Sequence, residues 1–200
     1  DPSTAVQSSR NAVVVVLAQL ANGRTGSGTG FAIRAAGDSV WIATARHIVI
    51  DSAGAPAKRL AVIFNESGQA FRAETVRTHE SADAAILVTT IRGGAPVVKD
   101  LAEPGEVGAP VAMVGFPFGL DSLGDWRRKG VRATTSVGTV SEANGDFLGV
   151  EGYGTYGSSG SPIFSSVGAV VGFVSGRARD TTGQLIAVPV SIVRSLLPAK

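Results

Sequence analysis

Three residues, Ser159, His47 and Asp83, have the types and surroundings that nucleophilic catalysis requires. Ser159 lies in Gly157-Ser158-Ser159-Gly160-Ser161-Pro162, between an apolar stretch and the strand-like run Pro162 to Phe164. Small neighbours let the backbone turn tightly, keep the hydroxyl accessible and leave main-chain N–H groups free to point at a substrate oxygen. Alone, such a Gly/Ser run is only a loop. A serine hydroxyl is a poor nucleophile until a base takes its proton, and the usual base is a histidine oriented by a carboxylate.

The chain has 2 His. His47 ends Trp41-Ile42-Ala43-Thr44-Ala45-Arg46-His47, where a buried strand gives way to small residues and an imidazole can project into a cleft. His79, in Arg77-Thr78-His79-Glu80, reads as a surface turn, so His47 is the better base. The carboxylate partner must be buried to fix the imidazole tautomer and stabilise the imidazolium. Asp83, in Ser81-Ala82-Asp83-Ala84-Ala85-Ile86-Leu87, is enclosed by small and apolar residues at the start of a strand. Asp38, Asp51, Asp121, Asp125, Asp146 and Asp180 lie in turn-like or polar segments.

The elements that must position these groups are short apolar runs divided by Gly, Asn and Asp. Val13 to Leu17, Gly30 to Ile33, Val40 to Thr44, Leu60 to Phe64, Phe71 to Val76 and Ala84 to Thr90 read as strands. A second set runs through Pro110 to Gly115, Thr135 to Ser141, Phe147 to Glu151, Pro162 to Phe164, Val167 to Val174 and Leu185 to Val188. Two sets of strands with turns between them indicate an all-β sandwich or a pair of small barrels. The Gly- and Pro-rich stretch from Arg92 to Pro110 divides the sets, placing the boundary near residue 100. Ser191 to Leu197 has the spacing of a short amphipathic helix, and the polar first ten residues form an extension.

Composition narrows the function. The 200 residues include 26 Gly and 9 Pro but no Cys, which excludes disulfides and cysteine metal sites, and two His cannot make a multi-histidine zinc site. No metal or other cofactor is expected. With 18 basic residues against 16 acidic ones the charge is nearly balanced, and Arg127, Arg128 and Lys129 form one short basic cluster beside Trp126, so nucleic acid is not an expected partner. No apolar run approaches the roughly 20 residues of a spanning helix. Gly23 to Gly30 lacks the Gly-Lys-Ser/Thr ending of a phosphate loop, and no His follows Ser159 as an α/β-hydrolase would need.

The chain order His47, Asp83, Ser159 and the strings around them resemble the trypsin-like, chymotrypsin-fold serine proteases. Thr44-Ala45-Arg46-His47 matches that family's Thr-Ala-x-His, Asp83 opens a similar small-then-apolar strand, and Gly157 to Pro162 aligns with Gly-Asn-Ser-Gly-Gly-Pro. Gly26 to Phe31, Val114 to Leu120, Ser136 to Ser141 and Ala187 to Val190 are similar to strings of the bacterial HtrA/Deg-like branch. The resemblance implies two six-stranded antiparallel β-barrels and a short C-terminal helix. Residues 1–100 would form the extension and the barrel carrying His47 and Asp83, and 101–200 the barrel carrying Ser159 and the helix.

It further implies a serine endopeptidase acting on protein or peptide substrates in the periplasm or outside the cell, with homo-oligomers open to it. The N–H groups of Gly157 and Ser159 would form the oxyanion hole, and Tyr153, Tyr156, Ser175 and Gly176 would line the substrate pocket. No Asp lies near Tyr153, so a small or medium apolar side chain is the expected preference. Ser158 and Ser161 depart from the family pattern, replacing Asn or Asp before the nucleophile and Gly after it. The alternative is a catalytically silent trypsin-like domain that binds peptides or partner proteins.

Overall fold

The β-branched and aromatic runs fold as twelve strands among the described residues, closed into two antiparallel barrels. The structure is a computed structural model describing residues 1–152, 159–179 and 184–199, with backbone alone at 176–179. In the first barrel, β1 (Val13–Gln19), β2 (Thr25–Ala36), β3 (Ser39–Thr44), β4 (Arg59–Phe64), β5 (Ala70–Thr78) and β6 (Ala85–Thr90) pair in the order β1-β2-β3-β6-β5-β4. In the second, β7 (Pro110–Gly115), β8 (Thr134–Asn144), β9 (Phe147–Gly152), β10 (Pro162–Ser165), β11 (Val170–Arg179) and β12 (Leu185–Pro189) pair as β7-β8-β9-β12-β11-β10. These orders are the same permutation, so one topology is used twice. Closure decides between sandwich and barrels, because β1 bonds both β2 and β4 and leaves the sheet no open end.

Two strand starts that differ from those the sequence suggests do so for a tertiary reason. β2 starts at Thr25 rather than Gly30, since its glycines serve close packing: a Cβ on Gly30 would lie 2.9 Å from the Ala43 carbonyl and 3.1 Å from Val16. β11 starts at Val170 rather than Val167, because Gly168 takes φ +83° in the turn from Ser165 and leaves Val167 exposed. The polar extension is also more ordered than its composition implies. Asp1 caps a one-turn helix, α1 (Pro2–Ala5), by accepting from the Ser3 N–H at 3.0 Å, and Pro2 and Val6 are buried. This segment packs on β7, β8 and β10, so the chain begins on the second barrel before entering the first. A C-terminal helix, α4 (Val190–Leu196), covers β11 and β12 with Val190, Val193 and Leu196.

One apolar cluster spans both barrels, and a second, around Leu148, Ile163 and Val171, lies within the second barrel. Val13, Val14, Val15 and Val16 are all fully buried, because β1 faces the barrel interior on one side and β7 on the other. Phe31 of β2 meets Phe173 of β11 with ring centroids 6.0 Å apart and planes tilted by 56°. Hydrogen bonds complete the seam: the Ala133 N–H donates to Asn65 Oδ1 at 2.8 Å, and the Phe116 N–H donates to Thr29 Oγ1 at 3.0 Å. The segment between β7 and β8 contains another short helix, α3 (Trp126–Lys129), in which Arg127 stacks on Trp126 and Arg128 pairs with Asp125.

Thr29 is fully buried, and its hydroxyl is the acceptor for the Phe116 N–H. Thr29→Val keeps the shape and leaves that donor unpaired, so urea unfolding should show a loss of about 1–3 kcal/mol. An unchanged midpoint would show that this bond does not hold the barrels together.

Candidate active site

Strand β3 ends at Thr44, and Ala45 leads in extended conformation into the single turn α2 (Arg46–Val49). This turn carries His47 off the end of the strand, and Ile48 and Val49 anchor it by being buried. Asp83 arrives from the turn before β6. His79 shapes that turn: its Nδ1 accepts from the N–H groups of Ser81 at 3.2 Å and Ala82 at 2.9 Å. The histidine read from sequence as a surface residue therefore holds the loop from which Asp83 projects.

The Asp83 carboxylate accepts three hydrogen bonds. His47 donates its backbone N–H to Oδ1 at 2.9 Å, and His47 Nδ1 and Ser175 Oγ lie 2.7 Å and 2.8 Å from Oδ2. Burial pushes the Asp83 carboxyl up, but the ring hydrogen bond and charge of His47, its backbone N–H and the Ser175 hydroxyl outweigh that effect and hold it below its ordinary value. An ionised carboxylate has no proton to donate, so the proton of the 2.7 Å contact sits on Nδ1. In the neutral ring, Nε2 then carries the lone pair that can accept a proton. Ser175, expected to line a substrate pocket, commits its hydroxyl to Asp83.

Ser159 is fixed through its backbone. The Thr29 N–H donates to the Ser159 carbonyl at 2.9 Å, and the Gly160 N–H donates to the Val174 carbonyl at 2.7 Å, so the residue is tied to both barrels. Gly160 has φ +86°, and a Cβ there would overlap the Thr29 carbonyl oxygen. That oxygen also accepts from Thr44 Oγ1 at 2.8 Å, which links the Ser159 turn to the end of the strand that launches His47. Gly28 lies between the two: a Cβ there would fall 3.2 Å from the Ser159 carbonyl oxygen and against the Ile48 side chain next to His47.

The structure thus brings His47, Asp83 and Ser175 into direct contact and sets Ser159 one glycine away from the helix carrying His47. A cavity of about 240 Å³ opens beside His47 and Asp83, lined also by Arg46, Ile50 and Asp51. Tyr153, Tyr156 and Gly157 lie outside the described residues, and Gly176 is described as a backbone position in β11. Ser161, the departure two places after Ser159, directs a buried hydroxyl without a hydrogen-bond partner into the space a Cβ on Gly115 would fill. Sequence reasoning missed Thr29, Thr44 and His79. Thr44 left a signal as part of Thr44-Ala45-Arg46-His47, and Thr29 as part of Gly26 to Phe31. Among the described residues no group of His, Cys, Asp and Glu could hold a metal ion.

Because the carboxyl of Asp83 is held below 3.8 in the folded protein, its stabilising contribution is complete above about that pH and is lost as pH falls through the folded value. The stability difference between the native protein and Asp83→Asn should therefore be full at neutral pH and shrink in acid. A pH-independent difference in urea titrations would contradict this.

The family model for the trypsin-like peptidase domain matches residues 28–173. No curated protein matches the chain by sequence. Among solved structures, the chain is similar to the serine endoprotease from Yersinia pestis, with a TM-score of 0.75, 23% identity and 98% of this chain covered. It spans 64% of the length of that endoprotease chain. The matched segment takes in His47, Asp83 and Ser159 and most of both barrels, and the chain belongs to the trypsin-like peptidase domain family.

Proposed function

We propose that this chain is a serine endopeptidase that cleaves protein substrates through an acyl-enzyme. The observation carrying the reading is the Asp83 carboxylate held 2.7 Å from His47 Nδ1. It fixes the tautomer in which Nε2 can take a proton. Ser159 Oγ attacks the peptide carbonyl while His47 Nε2 accepts its proton, and Asp83 stabilises the imidazolium. The N–H groups of Gly157 and Ser159 receive the developing oxyanion. His47 then returns the proton to the leaving amine. A water molecule, deprotonated by His47, releases the acyl group in the second half of the cycle.

Substrate preference follows from the pocket read in the sequence. By the family resemblance Tyr153, Tyr156, Ser175 and Gly176 would form its walls, and with no Asp near Tyr153 the pocket would take a small or medium apolar side chain. The likeness of Gly26 to Phe31 and Val114 to Leu120 to HtrA/Deg-like strings supports placement in that branch, and with it a periplasmic or secreted setting.

Removing the nucleophile tests the reading. Ser159→Ala should lower casein turnover on the order of 10⁴-fold or more while leaving the melting temperature unchanged. Full activity in that variant would end the assignment. Folded native protein without turnover would favour the silent, peptide-binding alternative.

A further inference from the structure

Away from His47, on the outer face of the first barrel, a groove of about 1030 Å³ runs across β2, β1, β4 and β5. Strand register defines which side chains face it. Leu17 is opposite both Ser27 and Ala61, Ala61 is opposite Arg72, and Gln19 is opposite both Thr25 and Arg59. Side chains of paired residues share a face, so these residues form one surface. Phe71 pairs with buried Val62 and so faces the barrel interior, leaving Leu17 and Ala61 as an aliphatic floor. Leu120 and Asp121, from the segment between β7 and β8, form the wall toward the second barrel.

The rim is cationic. Lys58, Arg59 and Arg72 are exposed along the groove, and none makes an ion pair among the described residues. Asp121 is the acidic residue lining it. A chain whose formal net charge is only +2 has no general attraction for anions, so three unpaired cations along one groove are a local feature.

The groove runs into the seam that holds Ser159. Ser27 is two residues from Thr29 on the same strand, and a Cβ on Gly119 would lie 2.7 Å from Ser27 Oγ. Thr29 in turn donates its N–H to the Ser159 carbonyl, so the strand that lines the groove also holds the Ser159 turn.

We infer that this groove docks an acidic polypeptide segment, which places its carboxylates against Lys58, Arg59 and Arg72. The aliphatic floor of Leu17 and Ala61 between cations suits a peptide with acidic side chains. A single-stranded nucleic acid would be served by stacked aromatic faces instead. That the segment belongs to a substrate rests on the peptidase reading, whereas the docking itself does not.

Fluorescence anisotropy with a Glu-rich fluorescein-labelled peptide, its Gln counterpart and an oligonucleotide of equal charge tests this on the Ser159→Ala chain, which cannot consume the probe. The Glu peptide should bind at least about tenfold tighter than the Gln peptide, and raising the salt severalfold should weaken it, since exposed charges are screened within about 8–10 Å at ordinary ionic strength. Lys58→Glu/Arg59→Glu/Arg72→Glu should abolish the preference, and Arg59→Gln/Arg72→Gln should reduce it without introducing repulsion. Equal binding of the Gln peptide, tighter binding of the oligonucleotide, or indifference of a folded charge-reversed variant would overturn the inference. Casein turnover by the native chain reports separately on the peptidase reading, so selective Glu-peptide binding without turnover leaves docking standing and removes only its link to proteolysis.

Discussion

One carboxylate is held from both halves of the molecule. Asp83 receives two bonds from His47, within its own barrel, and a third from Ser175, which belongs to the second. The charge that orients the imidazole therefore depends on how the barrels dock as well as on how either one folds. A partly buried carboxylate is tolerable because every oxygen has a donor. Without the Ser175 hydroxyl, part of the interaction that offsets burial would be lost, and the carboxylate would be a weaker partner for the ring.

Thr29 makes the docking specific. Its N–H, carbonyl and hydroxyl each bond a different segment, the Ser159 turn, Thr44 and Phe116 respectively. Gly28 and Gly160 on either side of this contact bring backbones close enough for those bonds to form. The aromatic contact between Phe31 and Phe173 and the buried run Val13 to Val16 supply the apolar adhesion between the barrels. Apolar burial is non-directional and would permit sliding, whereas the two bonds Thr29 makes to the second barrel, at Ser159 and Phe116, permit a single register. The outer groove adjoins this arrangement, because the strand that grips the Ser159 turn also lines the groove at Thr25, Gly26 and Ser27.

Much of this was legible in the sequence because the relevant information is local. Val13 to Leu17 and Pro110 to Gly115 carry their strand character in their own residues, and His47 and Asp83 are distinguished from other His and Asp by their immediate neighbours. What was not legible depends on partners distant in the chain. Nothing around Ser175 indicates that its hydroxyl turns to a carboxylate 92 residues earlier. Nothing in Arg77-Thr78-His79-Glu80 indicates that the ring accepts two N–H groups and shapes the Asp83 turn. The first residues read as polar because most of them are. Their order comes from Pro2 and Val6 burying themselves with a segment that caps its own helix and lies on the far barrel. The permuted order of strands follows from closure of each barrel, which no single segment encodes.

The central claim is that His47, oriented by Asp83, activates Ser159 and no other hydroxyl. Labelling with a fluorophosphonate, followed by peptide mass mapping, tests it most directly, because the reagent reports on a nucleophile without requiring its natural substrate. A single adduct on Ser159 in the native protein, lost in a folded His47→Ala variant, is the predicted result. An adduct on another residue, or undiminished labelling without His47, would contradict the account.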